Sequence, residues 1–497
     1  MEETTMAASQ VWQWSAVETA RAIRAGEVSS EAVAVAHLDR MHAANPAINA
    51  VVIDLGEAAL AAAREADRAR KDGAPLGSLH GAPVTVKINM DVKGQANSNG
   101  VPAFKDLIAT GDSPVVANLK AAGAVIIGMT NTPEFSLRAF TDNPLHGLTF
   151  NPWDPKITCG GSSGGAAASI ASGIGVIAHG NDIGGSLRWP AFCNGVATIK
   201  ATQGRMPAYN PSASVERPLI AQLMSTQGPL AREVADVRLG LEVMSRRDMR
   251  DPWWVPAPLQ GPPTPRPIKV AVAKLPSDLQ TDAEVMTLVR KAADHLADAG
   301  YDVREVAAPD IDATWKLWCD LISTEIATLQ RPQMVELGSA DFVKALDGIL
   351  HMADILDGEG YMRAIAQRSR IIRDWLAFLE DWPLILTPVS VKRTPAVNAD
   401  LGGDAAVKTL FWNDLRFTSA INVTGLPAAV VPVGLVGGHP VGVQLIGSRY
   451  REDLCLDAAA AIEARVGVLA HQLWAREGAR SPGQGGLEAE RGSVGLG

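Results

Sequence analysis

Residues 158–190, TCGGSSGGAAASIASGIGVIAHGNDIGGSLRWP, constrain this chain more than any other stretch. Glycine at that density in a folded protein marks backbone that takes positive φ or approaches another group too closely for a side chain. Two serine sites, Ser162/Ser163 and Ser186, are flanked by these glycines and separated by a run of small residues, so each is expected on a tight turn. Acyl transfer needs that combination, because an attacking hydroxyl and N–H donors for the developing oxyanion must converge within about 3 Å of one carbonyl. The run Asp182-Ile183-Gly184-Gly185-Ser186 supplies both.

Three other readings of the same glycines fail. Gly160-Gly161-Ser162-Ser163-Gly164 matches the GxSxG nucleophile elbow, but that turn follows a strand, and the preceding residues 151–156 carry two prolines. A phosphate loop would need Lys and Ser/Thr where Ala166 and Ala167 stand. The GxGxxA run from Gly173 to Ala178 follows a small-residue helical pattern, whereas a dinucleotide fingerprint follows a strand. His179 ends an apolar run and reads as a packed, hydrogen-bonded histidine rather than a partner for Ser186.

Composition narrows the function class. The net charge of −9 is spread without a basic stripe or acidic block, which argues against nucleic acid or a membrane surface as partner. Cys159, Cys193, Cys319 and Cys455 lack CxxC spacing and read as reduced, buried thiols. No His or Cys pair has metal-ligand spacing, so neither a metal nor another cofactor is expected. The N-terminal residues lack a basic, apolar leader and no apolar run reaches about 18 residues, which makes the cytoplasm the expected compartment. The oligomeric state, a homodimer included, stays open.

Along the chain, helical and strand-like patterns alternate. Two amphipathic helices over 15–44 and a charged helix over 57–71 precede a strand at 84–88. A helix at 114–122 leads to a strand at 124–129, then a long Asn/Pro/Thr-rich loop to residue 153 of the kind that walls a site. Residues 196–245 read as alternating loop and helix, and the proline-rich 252–267 as a surface crossover. Strands at 268–272, 302–306, 384–388, 428–433 and 440–445, with helices at 283–299 and 452–465 and others through 379, continue the rhythm. One large α/β domain over 1–479 follows, a mixed β-sheet core covered by helices on both faces, with a flexible tail over 480–497.

A serine nucleophile without a histidine needs another base, and a lysine serves when a dry setting holds it as the neutral amine. Lys87 is placed for this, since Val84-Thr85-Val86-Lys87-Ile88 alternates like a strand and a charge in an apolar strand is costly. Most lysines at strand ends simply extend to solvent; the neighbouring motifs favour the catalytic reading.

Residues 160–191 resemble the signature of the amidase signature family, serine hydrolases and amidotransferase subunits that cleave carboxamide C–N bonds with a Ser–cis-Ser–Lys triad. The resemblance continues through GAPVTVKINMDVKG (81–94), GMTNTPEFS (128–136), FTSAINVTGLPAAVVPVGL (417–435) and PVGVQLIG (440–447), spanning roughly residues 10–470. It implies the amidase signature fold, Ser186 as nucleophile, Ser162 as the bridging serine after a cis peptide, and Lys87 as base. It further implies oxyanion donors on the backbone of Ile183, Gly184, Gly185 and Ser186, and bracing roles for Ser163, Asp182 and Arg188. Two positions depart from the family pattern: Ile88 stands where Asp is usual, and Asn181 where Thr is usual. The activity implied is hydrolysis of small linear amides, with esters or carbamates also within its scope, in a roomy apolar pocket near Trp189 and the loop Glu134-Phe135-Ser136-Leu137. An ammonia-generating amidotransferase component of a multi-subunit complex is the alternative.

Overall fold

Eleven strands join in one mixed sheet in the computed structural model, which describes residues 10–479. In chain order they are β1 (Val51–Asp54), β2 (Pro83–Lys87), β3 (Val125–Thr130), β4 (Ile177–Asp182), β5 (Ala197–Lys200), β6 (Thr226–Ala231), β7 (Lys269–Ala273), β8 (Asp302–Val306), β9 (Leu384–Pro388), β10 (Ala428–Val436) and β11 (His439–Gly447). Their order across the sheet is β1-β3-β2-β4-β6-β5-β10-β11-β9-β7-β8. Parallel pairs (β2 with β3 and β4, β7 with β8 and β9) flank an antiparallel centre, and helices pack against the sheet in a single α/β domain. The tail expected over 480–497 lies outside the described residues. Among the described residues no helix is long and apolar enough to cross a membrane.

The strands read from alternation at β2, β3 and β7 to β11 are present within a few residues of their expected bounds. The loop-and-helix reading of 196–245 is corrected by β5 and β6, and β1 and β4 are also strands it did not include. The reason is tertiary. β6 reads TQGPLA, and glycine and proline argue against an interior strand because one packs nothing and the other has no N–H. Here a Cβ on Gly228 would meet Ile199 O at 2.6 Å and Leu187 Cδ1 at 2.5 Å, so close approach from β5 and from the turn after β4 demands glycine. Such packing information is absent from the local sequence.

The register creates the site. β2 and β4 run parallel, with Val84 opposite Ile177 and Thr85 opposite Ala178, so their C-terminal ends lie side by side. Lys87 thereby comes next to Asn181 and Asp182, at the end of the strands where open α/β sheets place ligands. The buried helix Gly164–Ala171 leads back to β4. Its small residues are a packing requirement: a Cβ at Gly165 would lie 2.5 Å from Asn131 N and 2.7 Å from Ala50 O.

Candidate active site

Lys87 is fully buried, and its Nζ lies 2.8 Å from Ser162 Oγ, 3.2 Å from Ser163 Oγ and 2.7 Å from Asn181 Oδ1. Burial pushes its amine well below the ordinary lysine range, and the opposing charge of Asp182 does not offset that. The three neighbours suit a neutral amine, which donates twice and accepts once. Asn181 Oδ1 can only accept, and its amide is held by Nδ2 donating to Asn89 Oδ1 at 3.1 Å. Ser163 Oγ donates to Asn181 O at 3.2 Å and therefore also accepts from Lys87. Ser162 is left as the hydroxyl whose proton can point at the lysine lone pair.

Ser162 follows a cis peptide bond with Gly161, and its carbonyl accepts from Thr132 Oγ1 at 2.9 Å. Ser163 N donates to Ser186 O at 3.2 Å, which ties the two serine turns together. Ser186 Oγ makes no hydrogen bond to the protein among the described residues, and it lines the same chamber as Ser162. Ile88 is buried in the main hydrophobic cluster. Of the two departures from the family pattern, therefore, Asn181 touches the lysine amine and Ile88 contributes to the core.

Asp182 and Arg188 form a fully buried pair with two contacts of 3.0 Å, and Arg188 also reaches Gln444 Oε1 at 2.5 Å and Asn422 Oδ1 at 2.7 Å. Burial pushes the Asp182 carboxyl up, but the charge and hydrogen bonds of Arg188, helped by Lys200 and Asn422, hold it well below the usual carboxylate range. As an anion it accepts from Gly185 N at 2.8 Å and Leu187 N at 3.1 Å, folding the 183–187 turn over itself. The N–H of Gly185, expected as an oxyanion donor, is thus engaged by Asp182. Those of Ile183, Gly184 and Ser186 have no protein acceptor among the described residues. The turn needs its glycines: Gly185 has φ of 117°, and a Cβ on Gly184 would meet Trp318 Cζ2 at 2.6 Å. Trp318 Nε1 donates to Ile183 O and Ser419 Oγ to Gly184 O, fixing both carbonyls away from the N–H face.

Ser186 lines two adjoining cavities. One is an apolar slot lined by Trp189, Trp318, Ile322, Ile349, Phe411 and Leu415, in which Trp318 and Phe411 stack at 6.2 Å. Leu137 and Ser136 of the expected wall loop also line it, whereas Glu134 turns away and accepts from Ser339 N and Oγ at the start of the helix Ala340–Leu350. The other is a chamber of about 200 Å³ of mixed lining, with Ser162, Asn181 and Arg217 beside Phe135, Ile326 and Met334, and it shares Asn89, Asn181 and Arg217 with an outer chamber of about 640 Å³. His179 is buried against Gln227 Oε1 at 2.9 Å, and burial pulls its pKa down to about 4. Among the described residues no group of three or more His, Cys, Asp or Glu side chains is arranged to hold a metal.

The family model described as Amidase matches residues 32–456. The chain belongs to the amidase family. Indoleacetamide hydrolase of Bradyrhizobium diazoefficiens is 61% identical over 93% of this chain and 88% of its own length. A glutamyl-tRNA(Gln) amidotransferase component from Moorella thermoacetica is 31% identical over 91% of this chain and 97% of its own. Among solved structures, a bacterial aryl acylamidase of the amidase signature family superposes with a TM-score of 0.77 at 25% identity, covering 93% of this chain and 97% of that one. The amidase is a hydrolase of non-peptide amide C–N bonds, and the much greater identity to a hydrolase disfavours the amidotransferase alternative.

Several residues of the site were not legible in advance. Trp318 and Phe411 reach the slot from segments more than a hundred positions beyond the serine motif, with no local signal to mark them. Asn181 had one, its place at the head of the aspartate–glycine turn.

Proposed function

We propose that this amidase hydrolyses arylacetamides, indole-3-acetamide first among them, through an acyl-enzyme on Ser186. Lys87, as the neutral amine, takes the Ser162 proton while Ser162 takes that of Ser186, and Ser186 Oγ attacks the amide carbon. The oxyanion forms against the free N–H groups of Ile183, Gly184 and Ser186, with Gly185 shaping the turn that presents them. The proton returns through Ser162 to the leaving nitrogen, and water releases the acid by the same route. Asp182, Arg188 and Ser163 keep the two turns in place.

The observation that carries this reading is the buried Lys87 amine, 2.8 Å from Ser162 Oγ and, among the described residues, with no carboxylate in hydrogen-bond contact. The substrate assignment draws on the stacked aromatic slot beside Ser186 and on the 61% identity to an indoleacetamide hydrolase. Ammonia release from indole-3-acetamide by the wild type, with a loss of about 10³-fold or more in Ser186→Ala, is the expected result. Turnover unchanged in that variant would remove Ser186 from the mechanism, and a fluorophosphonate that fails to label the wild type would argue the same way.

A further inference from the structure

Resting on that reading of the site, we propose that the amidase also hydrolyses N-arylacetyl α-amino acids, with Arg217 binding the carboxylate of the leaving amino acid. The direction of departure follows from the proton path. The leaving nitrogen must face the hydroxyl that protonates it, Ser162, and Ser162 opens on the chamber that Arg217 lines and not on the aromatic slot, which holds the aryl group. Ammonia is about the size of water, which occupies roughly 30 Å³. The chamber of about 200 Å³ and the outer chamber of about 640 Å³ far exceed that need.

The chemistry of the lining says what fits. Besides Asp182, which is committed to Arg188, the ionisable group of the inner chamber is Arg217. Its Nη1 donates to Ser225 Oγ at 2.6 Å, which orients the guanidinium; among the described residues its other N–H groups have no acceptor and no carboxylate pairs with it. Asp251 and Glu216 act on it only at longer range, and Asp251 is occupied by Ala208 N and Trp253 N. An arginine facing a chamber with donors to spare is matched by a carboxylate, which can accept two parallel N–H bonds. Asn89, Asn181 and Gln227, lining both chambers, offer polar contacts to the rest of a small amino acid.

The reaction balances as an ordinary hydrolysis. Ser186 Oγ bonds to the acyl carbon as the C–N bond breaks, the Ser186 proton passes through Ser162 and Lys87 to the nitrogen, and the free amino acid leaves. Water then adds to the acyl carbon and releases Ser186 and the arylacetic acid.

The test compares kcat/KM for indole-3-acetamide, N-(indole-3-acetyl)glycine and its uncharged glycinamide counterpart. The wild type should cleave the glycine conjugate in preference to the glycinamide, and Arg217→Gln should lower the ratio of those two by about 10- to 100-fold, with Arg217→Lys between. Cleavage of indole-3-acetamide without cleavage of the glycine conjugate overturns this proposal and leaves the earlier reading standing. Failure on all three substrates overturns both. A wild type indifferent to the carboxylate, or an Arg217→Gln that slows the conjugates equally, removes Arg217 from recognition, and the wild-type preference stands as a test even if the variant does not fold.

Discussion

Two fully buried lysines end neighbouring parts of the same sheet, Lys87 on β2 and Lys200 on β5, and Asp182 acts on both. Burial depresses both amines, Lys200 to about 7. They differ in what their nitrogens touch. Lys87 meets two hydroxyls and a side-chain amide, whereas Lys200 donates to Leu426 O at 2.6 Å and Ala201 O at 3.3 Å. A carbonyl only accepts, while a hydroxyl also gives a proton. Depressed basicity alone therefore does not separate the two: Lys87 has a hydroxyl proton within reach, as the proposed base requires, and Lys200 ties β5 to the segment entering β10.

The sharpest break between the two is kinetic. Lys87→Ala is expected to cost about 10³-fold or more in kcat/KM, whereas Lys200→Met keeps most of the activity. Comparable losses in both would mean that burial, not the hydroxyl relay, distinguishes the base.

The next effect is on pH. If Lys87 is the base, its protonation as pH falls stops it accepting from Ser162, and kcat/KM is expected to decline on the acid side. Asn181→Asp sets a carboxylate against the same amine, favours its protonated form, and is expected to move that acid limb up by about 1 to 3 pH units. A limb that stays in place, or a wild-type profile flat to about pH 5, would falsify the assignment of Lys87 as base.

How far the sequence reaches is visible in these same residues. Lys87, Ser162 and Ser186 stood out as candidates because glycine-rich turns and a lysine in an alternating apolar strand are local features. Lys200 did not: β5 is four residues long, and its partner β6 carries Gly228 and Pro229. Gly228 is tolerated there because Ile199 and Leu187 approach too closely for a side chain, a fact of packing across the sheet. Gly185 shows the same limit at atomic scale. Its place in the turn was readable, but the capture of its N–H by Asp182 depends on Arg188 holding that carboxylate ionised.

A third expectation concerns stability. Removing the Lys200 amine leaves the buried Leu426 carbonyl without its donor, which costs about 1 to 3 kcal/mol. Urea unfolding of Lys200→Met should show that deficit at pH 7. A variant as stable as the wild type would mean that the contact contributes nothing net.

The smallest effect is the pH dependence of that deficit. A lysine depressed to about 7 in the folded protein and ordinary in the unfolded chain is protonated only when unfolded between those two values. The unfolded state then binds the extra proton, so this group's contribution to stability rises with pH through that window. Below about 7 both states are protonated and the contribution is flat. The Met variant lacks the titration, so its deficit should grow by about 1 kcal/mol from pH 7 to pH 8. Comparing the two proteins at each pH cancels every titration they share. A deficit that is constant, or that shrinks as pH rises, would show that Lys200 keeps its proton in the fold, and would leave Lys87 as the buried amine whose surroundings hold it neutral.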